Sequence, residues 1–135
     1  MYKNILIPVV LDNGADVQAS YSVAQTLADD GAKFTVMHVL EQIQGFVAID
    51  IPAEALAKAD RAAETALAES AKALPDAATA LLRGHPGTTI VNYASENGID
   101  CIVIASHKPG IEDFFLGSTA ARVVRHASCS VHVIR

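Results

Sequence analysis

Ile5-Leu6-Ile7-Pro8-Val9-Val10-Leu11 is an uninterrupted apolar run near the start of the chain. A strand with one wet face alternates apolar and polar side chains. This run does not alternate, which predicts a strand covered on both faces, as in a parallel sheet flanked by helices. Pro8 has no N–H to offer a ladder, so it predicts where pairing ends and where the loop through Asp12-Asn13-Gly14 begins. The rest of the chain must then supply further strands and helices for both faces.

The spacing supplies them in alternation. Asp16 to Asp29 carries Val17, Ser20-Tyr21, Val23-Ala24 and Leu27-Ala28 at helical intervals, with Asp30-Gly31 as a left-handed stop. Lys33 to Leu40 reads as the second strand. Glu41 to Ile51 has no period and reads as a long loop. Pro52 suits a first helical turn, with Asp50 as its cap. Ala53 to Ala73 is an alanine-rich amphipathic helix that Leu74-Pro75-Asp76 ends. Ala77 to Leu82 is a weakly signalled third strand. Gly84-His85-Pro86-Gly87 is a turn, and Thr88 or Thr89 starts a helix reaching Glu96. Asn97-Gly98 repeats the glycine stop, and Cys101 to Ala105 is the fourth strand. Ala120, Val123, Val124 and Ala127 mark one face of a last helix, and Ser130 to Arg135 is the fifth strand. This βαβαβαβαβ order predicts one α/β domain over residues 1–135. Its expected form is a three-layer, doubly wound sandwich around a five-stranded parallel sheet of order 3-2-1-4-5.

Composition narrows the function. With 51% apolar and 19% charged residues in 135, the chain can bury a single core. Ten Lys plus Arg and a net charge of −5 argue against a nucleic-acid or membrane-surface binder. Cys101 and Cys129 show no metal-ligand spacing and read as small buried hydrophobes of a reducing compartment. The absence of a signal-peptide pattern or a spanning apolar run leads us to expect the cytoplasm. Sequence signatures of catalysis are missing too. There is no GxxxxGK[ST], no GxSxG and no HExxH, and no acidic cluster of the receiver-domain kind.

Ligands of open α/β sheets sit beyond the carboxyl ends of the strands, where strand order reverses. Here that point lies between strands 1 and 4. The loop after strand 4 runs from Ile104-Ala105-Ser106-His107-Lys108-Pro109-Gly110 to Gly117-Ser118-Thr119, which opens a helix. Free N–H donors, the positive end of the helix dipole and a glycine make such a start suitable for phosphate. Gly117, Ser118 and Thr119 are the expected phosphate cradle, with Lys108 as an added charge. Pro8, Val9, Val10 and Val39 form the expected slot for a flat base, and Asp12 accepts from a ribose hydroxyl. His107 is the one histidine beside this site. The same residues have structural readings: Gly117-Ser118 as a helix cap, Lys108 as a solvated charge, the valines as core.

Several segments together resemble the universal stress protein family over the full length. They are Ile5-Leu6-Ile7-Pro8, His38-Val39, Gly84-His85-Pro86, Ile104-Ala105-Ser106-His107, Leu116-Gly117-Ser118 and Val124-Arg125-His126-Ala127-Ser128-Cys129-Ser130-Val131. Ala105-Ser106-His107-Lys108-Pro109 is similar to the branch with the enterobacterial F- and G-type proteins. The resemblance implies an adenine nucleotide alpha hydrolase-like fold. It also implies a stress-response sensor or regulator that binds ATP or ADP, with Mg2+ or Mn2+, and turns it over slowly or not at all. It implies a homodimer through the last strand, here Ser130, Val131, His132, Val133 and Ile134, and a regulatory protein partner. The family's nucleotide binders carry G-x-x-G, nine residues, then G-S or G-T. Here Ala105 replaces the first glycine, Lys108 falls near the second with Gly110 offset, and the loop is one residue shorter. Val10 replaces an aspartate, with Asp12 two residues on. A nucleotide-free dimeric interaction module is the alternative these departures suggest.

Overall fold

The apolar run becomes β1, Tyr2–Pro8, the middle strand of the sheet. In the computed structural model, which describes residues 1–11, 17–41, 50–106 and 116–135, it is followed by α1 (Gln18–Leu27), β2 (Ala28–Leu40), α2 (Ala53–Ala71) and β3 (Ala78–Arg83). Then come α3 (Pro86–Glu96), β4 (Cys101–Ala105), α4 (Ser118–His126) and β5 (Ser130–Ile134). Strand order is β3-β2-β1-β4-β5 and every pair is parallel, as expected.

The lack of alternation in β1 has its predicted cause. Ile5, Ile7 and Val9 face one core with Tyr21, Ala24, Leu67 and Leu74, on the α1 and α2 side. Leu6 faces the other with Ile90, Ala94, Ala120 and Val123, on the α3 and α4 side. In β4, Cys101 and Val103 split from Ile102 and Ile104 in the same way. Each such side chain stabilises the sheet by about 1.5–3 kcal/mol relative to exposure, so both helical layers are required. The Tyr21 and Ser70 hydroxyls, 2.7 Å apart, tie α1 to α2.

At the amino end of the sheet, Asp100 clamps β1. Its carboxylate accepts from the Lys3 and Asn4 amides at 2.8 and 3.0 Å, and its own amide donates to the Asn4 carbonyl at 3.0 Å. The Asn97-Gly98 stop is a Schellman turn. Gly98 has φ 64°, and the Ile99 N–H reaches back to the Ala94 carbonyl at 3.0 Å.

Several local expectations need correction. α1 ends at Leu27 with an extended Ala28, so Gly31 is not its stop. Gly31 instead takes φ 76° inside β2, where the register against β1 jumps from Tyr2↔Ala28 to Asn4↔Lys33. The left-handed glycine serves a bulge there, not a cap. Pro52 occupies the cap position of α2, so Asp50 is not its N-cap. α3 begins at Pro86, two residues before Thr88, because His85 is the cap and proline fits the first helical position. On α4, Ala120 and Val123 are buried, whereas Val124 is 47% exposed and lies off the packed line. Pairing runs one residue past Pro8, through the Val9 amide.

Cys101 is buried, as expected of a small hydrophobe, whereas Cys129 is only half-buried; burial chiefly pushes the Cys101 thiol up to about 11, with Cys129 and Asp100 adding to the rise. The unfolded thiol ionises near pH 8.5, whereas the native one holds its proton to about pH 11. Across that window the unfolded chain binds fewer protons, so stability falls as pH rises. The thiol's contribution is full below pH 8.5 and is lost towards pH 11. We expect Cys101→Ala to show about 3 kcal/mol less alkaline loss than wild type in urea unfolding at pH 8 and pH 11. Equal losses in the two proteins would contradict this.

Candidate functional site

The carboxyl edge of the sheet opens where β1 and β4 part. Their ladder stops at Leu6↔Ile102, although β1 continues to Pro8 and β4 to Ala105. Pro8 contributes to the parting, since it has no N–H. Past it, Val9 turns towards β2. Its amide donates to the Met37 carbonyl at 2.8 Å, and its carbonyl accepts from the His38 ring Nδ1–H at 2.8 Å.

Beyond β4 the chain is pinned at Ser106, which is 2% exposed. The Ser106 amide donates to the Ile134 carbonyl at 2.8 Å, and its carbonyl accepts from the Gly117 amide at 2.6 Å. Gly117 is thereby fixed at the start of α4. Its φ of −55° and ψ of 152° are open to any residue, so backbone geometry does not call for glycine here. The first intrahelical bond of α4 is Ala121 N–H to the Gly117 carbonyl at 2.8 Å. The amides of Ser118, Thr119 and Ala120 precede it, with no side-chain cap and no acidic residue in the first turn.

A second helix start lies alongside. His85 caps α3, its Nδ1 accepting from the Thr88 amide at 3.5 Å, and the first turn again lacks acidic residues. Arg122 of α4 donates from Nε to the Thr88 hydroxyl at 3.0 Å, which links the two starts. Gly84 lets β3 meet α3. It has φ 153°, and a Cβ there would stand 2.7 Å from the Thr89 hydroxyl. Between these elements is a cleft of about 360 Å³ lined by Glu41, Gly84, His85, Pro86, Ser118 and Thr119. Two positive helix ends directed at one cleft favour an anion there.

Of the expected site residues, Ser118 and Thr119 line this cleft, with Gly117 immediately before them. Val9, Val39, Ile104 and Ser106 are buried, and Pro8 is half-buried at the end of β1. Val10 is 49% exposed just past β1, and Ala105 is exposed at the end of β4. Asp12, His107, Lys108 and Gly110 lie outside the described residues. Glu41, Gly84, His85 and Pro86 are on the cleft but absent from the sequence-based site. Their signal was available: Gly84-His85-Pro86 is a glycine turn feeding a helix start beyond a strand's carboxyl end, just as Gly117 is.

The universal stress protein family model matches residues 1–135. A Thermus aquaticus universal stress protein, described as lying in the QAH/OAS sulfhydrylase 3′ region, is 30% identical, with 100% of each chain covered. Against universal stress protein G of Escherichia coli O157:H7 the identity is 48% over 42 residues, 31% of this chain and 30% of that one. Such a segment does not by itself assign the branch. Among solved structures, UspA of Lactobacillus plantarum is 29% identical with a TM-score of 0.65, covering 99% of this chain and 98% of that one. Hypothetical protein MJ0577 has a TM-score of 0.82 at 23% identity, covering 99% and 96%. Three further structures of this fold hold nucleotides. A family member from Arabidopsis thaliana has AMP bound (TM-score 0.63, 14% identity, 98% and 90% covered). The Archaeoglobus fulgidus protein is in complex with dAMP (0.61, 22%, 99% and 98%), and another universal stress protein is in complex with cAMP (0.62, 20%, 99% and 97%). A full-length family match and a full-length relative at 30% identity, on a sheet of the expected order, make this chain a member of the universal stress protein family.

Proposed function

We propose that this chain binds an adenine nucleotide, ATP or ADP, and serves as a homodimeric sensor or regulator in a stress response, not as a rapid enzyme. Gly117 carries the reading. A glycine that the backbone does not require, at a helix start with no side-chain cap, leaves room for phosphate oxygens against the first-turn amides. Ser118 and Thr119 add hydroxyls on the cleft wall. Val10, exposed beside buried Val9 and Val39, offers apolar surface to the base. Glu41 joins Asp12 as an acceptor for ribose hydroxyls. The AMP, dAMP and cAMP held by structures of this fold support the same ligand class.

Among the described residues no group of three or more His, Cys, Asp and Glu could hold a metal ion. A hard cation such as Mg2+ or Mn2+ binds phosphate oxygens and water with few protein ligands. In this reading the nucleotide brings the metal, and Ser118, Thr119 or Glu41 supplies at most one or two oxygens. The homodimer would form at β5, an edge strand paired here only with β4, by antiparallel pairing of Ser130–Ile134 in two copies.

The deciding experiment is direct. The purified protein is denatured, and the supernatant is analysed by absorbance and chromatography. Released ATP or ADP, or saturable binding of added ATP, is the expected result. No release and no binding at millimolar ATP would reject the nucleotide reading. A solution mass of one 14.2 kDa chain, instead of two, would reject the homodimer.

A further inference from the structure

We infer that His38 is a positioning residue for the base slot, an assignment that rests on the nucleotide reading above. In a regular parallel ladder each residue bonds the flanking residues of one partner. Pro8 pairs with Met37, so Val9 stands opposite His38. The Val9 amide follows the rule and donates to the Met37 carbonyl at 2.8 Å. The rule would then have the Val9 carbonyl accept from the Val39 amide. That carbonyl instead accepts from the His38 Nδ1–H at 2.8 Å. A half-buried carbonyl must keep a partner, and the imidazole takes over that duty from the backbone.

Two things follow. The edge of β2 at Val39 is relieved of capping β1, and by alternation from Met37, whose carbonyl bonds the Val9 amide, the Val39 amide faces the β1 side, where the proposed base slot begins. Val9 is held through both of its polar atoms, which fixes the direction in which the chain leaves Pro8 and presents Val10 to the slot. Because a carbonyl only accepts, His38 must carry its proton on Nδ1. A hydrophobic residue at position 38 would fill the same half-buried space but leave the Val9 carbonyl to recapture the Val39 amide.

The test separates the base from the phosphate. AMP and ribose 5-phosphate affinities are measured by calorimetry for wild type, His38→Leu and His38→Asn, whose side-chain amide can stand in for Nδ1–H. His38→Leu is expected to bind AMP about 10-fold more weakly, with ribose 5-phosphate affinity unchanged and His38→Asn close to wild type. Unchanged AMP affinity in His38→Leu, or an equal loss for both ligands that His38→Asn does not repair, overturns the assignment. A long-range 15N–1H spectrum of the wild-type protein tests it without a substitution. The Nδ1–H tautomer supports it, and the Nε2–H tautomer overturns it. If wild-type protein binds ribose 5-phosphate and AMP equally or neither at all, the base slot itself is rejected, and the role of His38 with it. A wild type that prefers AMP while His38→Leu keeps that preference rejects His38 alone.

Discussion

Gly117→Val is expected to weaken ATP binding by about 100-fold with only about 1 kcal/mol lost from folding stability. The two effects separate because of the backbone at this position. A φ of −55° with ψ of 152° suits valine, and the bond from its amide to the Ser106 carbonyl needs no side chain. An isopropyl group would instead stand where, under the proposed nucleotide binding, phosphate oxygens would approach the amides of α4. Losing one such charge-assisted bond, worth up to about 3 kcal/mol, accounts for the magnitude. Isothermal titration with ATP, paired with urea unfolding, measures both quantities. Retained affinity would mean that the phosphates sit elsewhere. A large stability loss would mean that Gly117 is needed for the fold.

Gly87→Ala tests the second helix start. In a bare helix this exchange would stabilise by up to about 1 kcal/mol. Here a Cβ would meet Arg122 Cδ at 2.8 Å, Cβ at 3.0 Å and Cγ at 3.2 Å. Relieving that overlap pushes α3 from α4, which costs about 1–3 kcal/mol and spreads the cleft between Pro86 and Ser118. We expect a net loss near 1 kcal/mol and ATP binding about 10-fold weaker. Arg122→Ala removes the nearest atom, so the double variant should recover part of both losses. That recovery, measured as a double-mutant cycle, is what distinguishes a steric wedge from general damage. Additive losses would refute it.

The strand and helix order was readable because burial on two faces writes itself into β1 and β4 as unbroken apolar runs. Local punctuation was less transparent. Gly31 and Gly98 follow helices in similar contexts, and both take left-handed φ. Only Gly98 closes a Schellman turn; Gly31 absorbs the extra residues of β2, a matter of register that the local pattern does not carry. At the site, the helix start at Gly117 was legible from small residues after a buried strand. Gly84-His85-Pro86 carries a similar local signal, but that it shares a cleft with Glu41 and Ser118 was not legible, because these residues come together only when β2, β3 and α3 are placed beside α4. His38 shows the same limit. A histidine in a strand reads as a packing residue, and its bond to Val9 depends on Pro8 pairing with Met37 across β1 and β2.

The bond between the Gly117 amide and the Ser106 carbonyl bears on how such a domain tolerates change. It joins the two ends of the segment from 107 to 116, so the start of α4 is anchored to β4 and not to that segment's length. Lengthening a closed loop costs only about 0.6 kcal/mol per doubling. Insertions, deletions or a grafted peptide between Ser106 and Gly117 should therefore leave the helix start where it is.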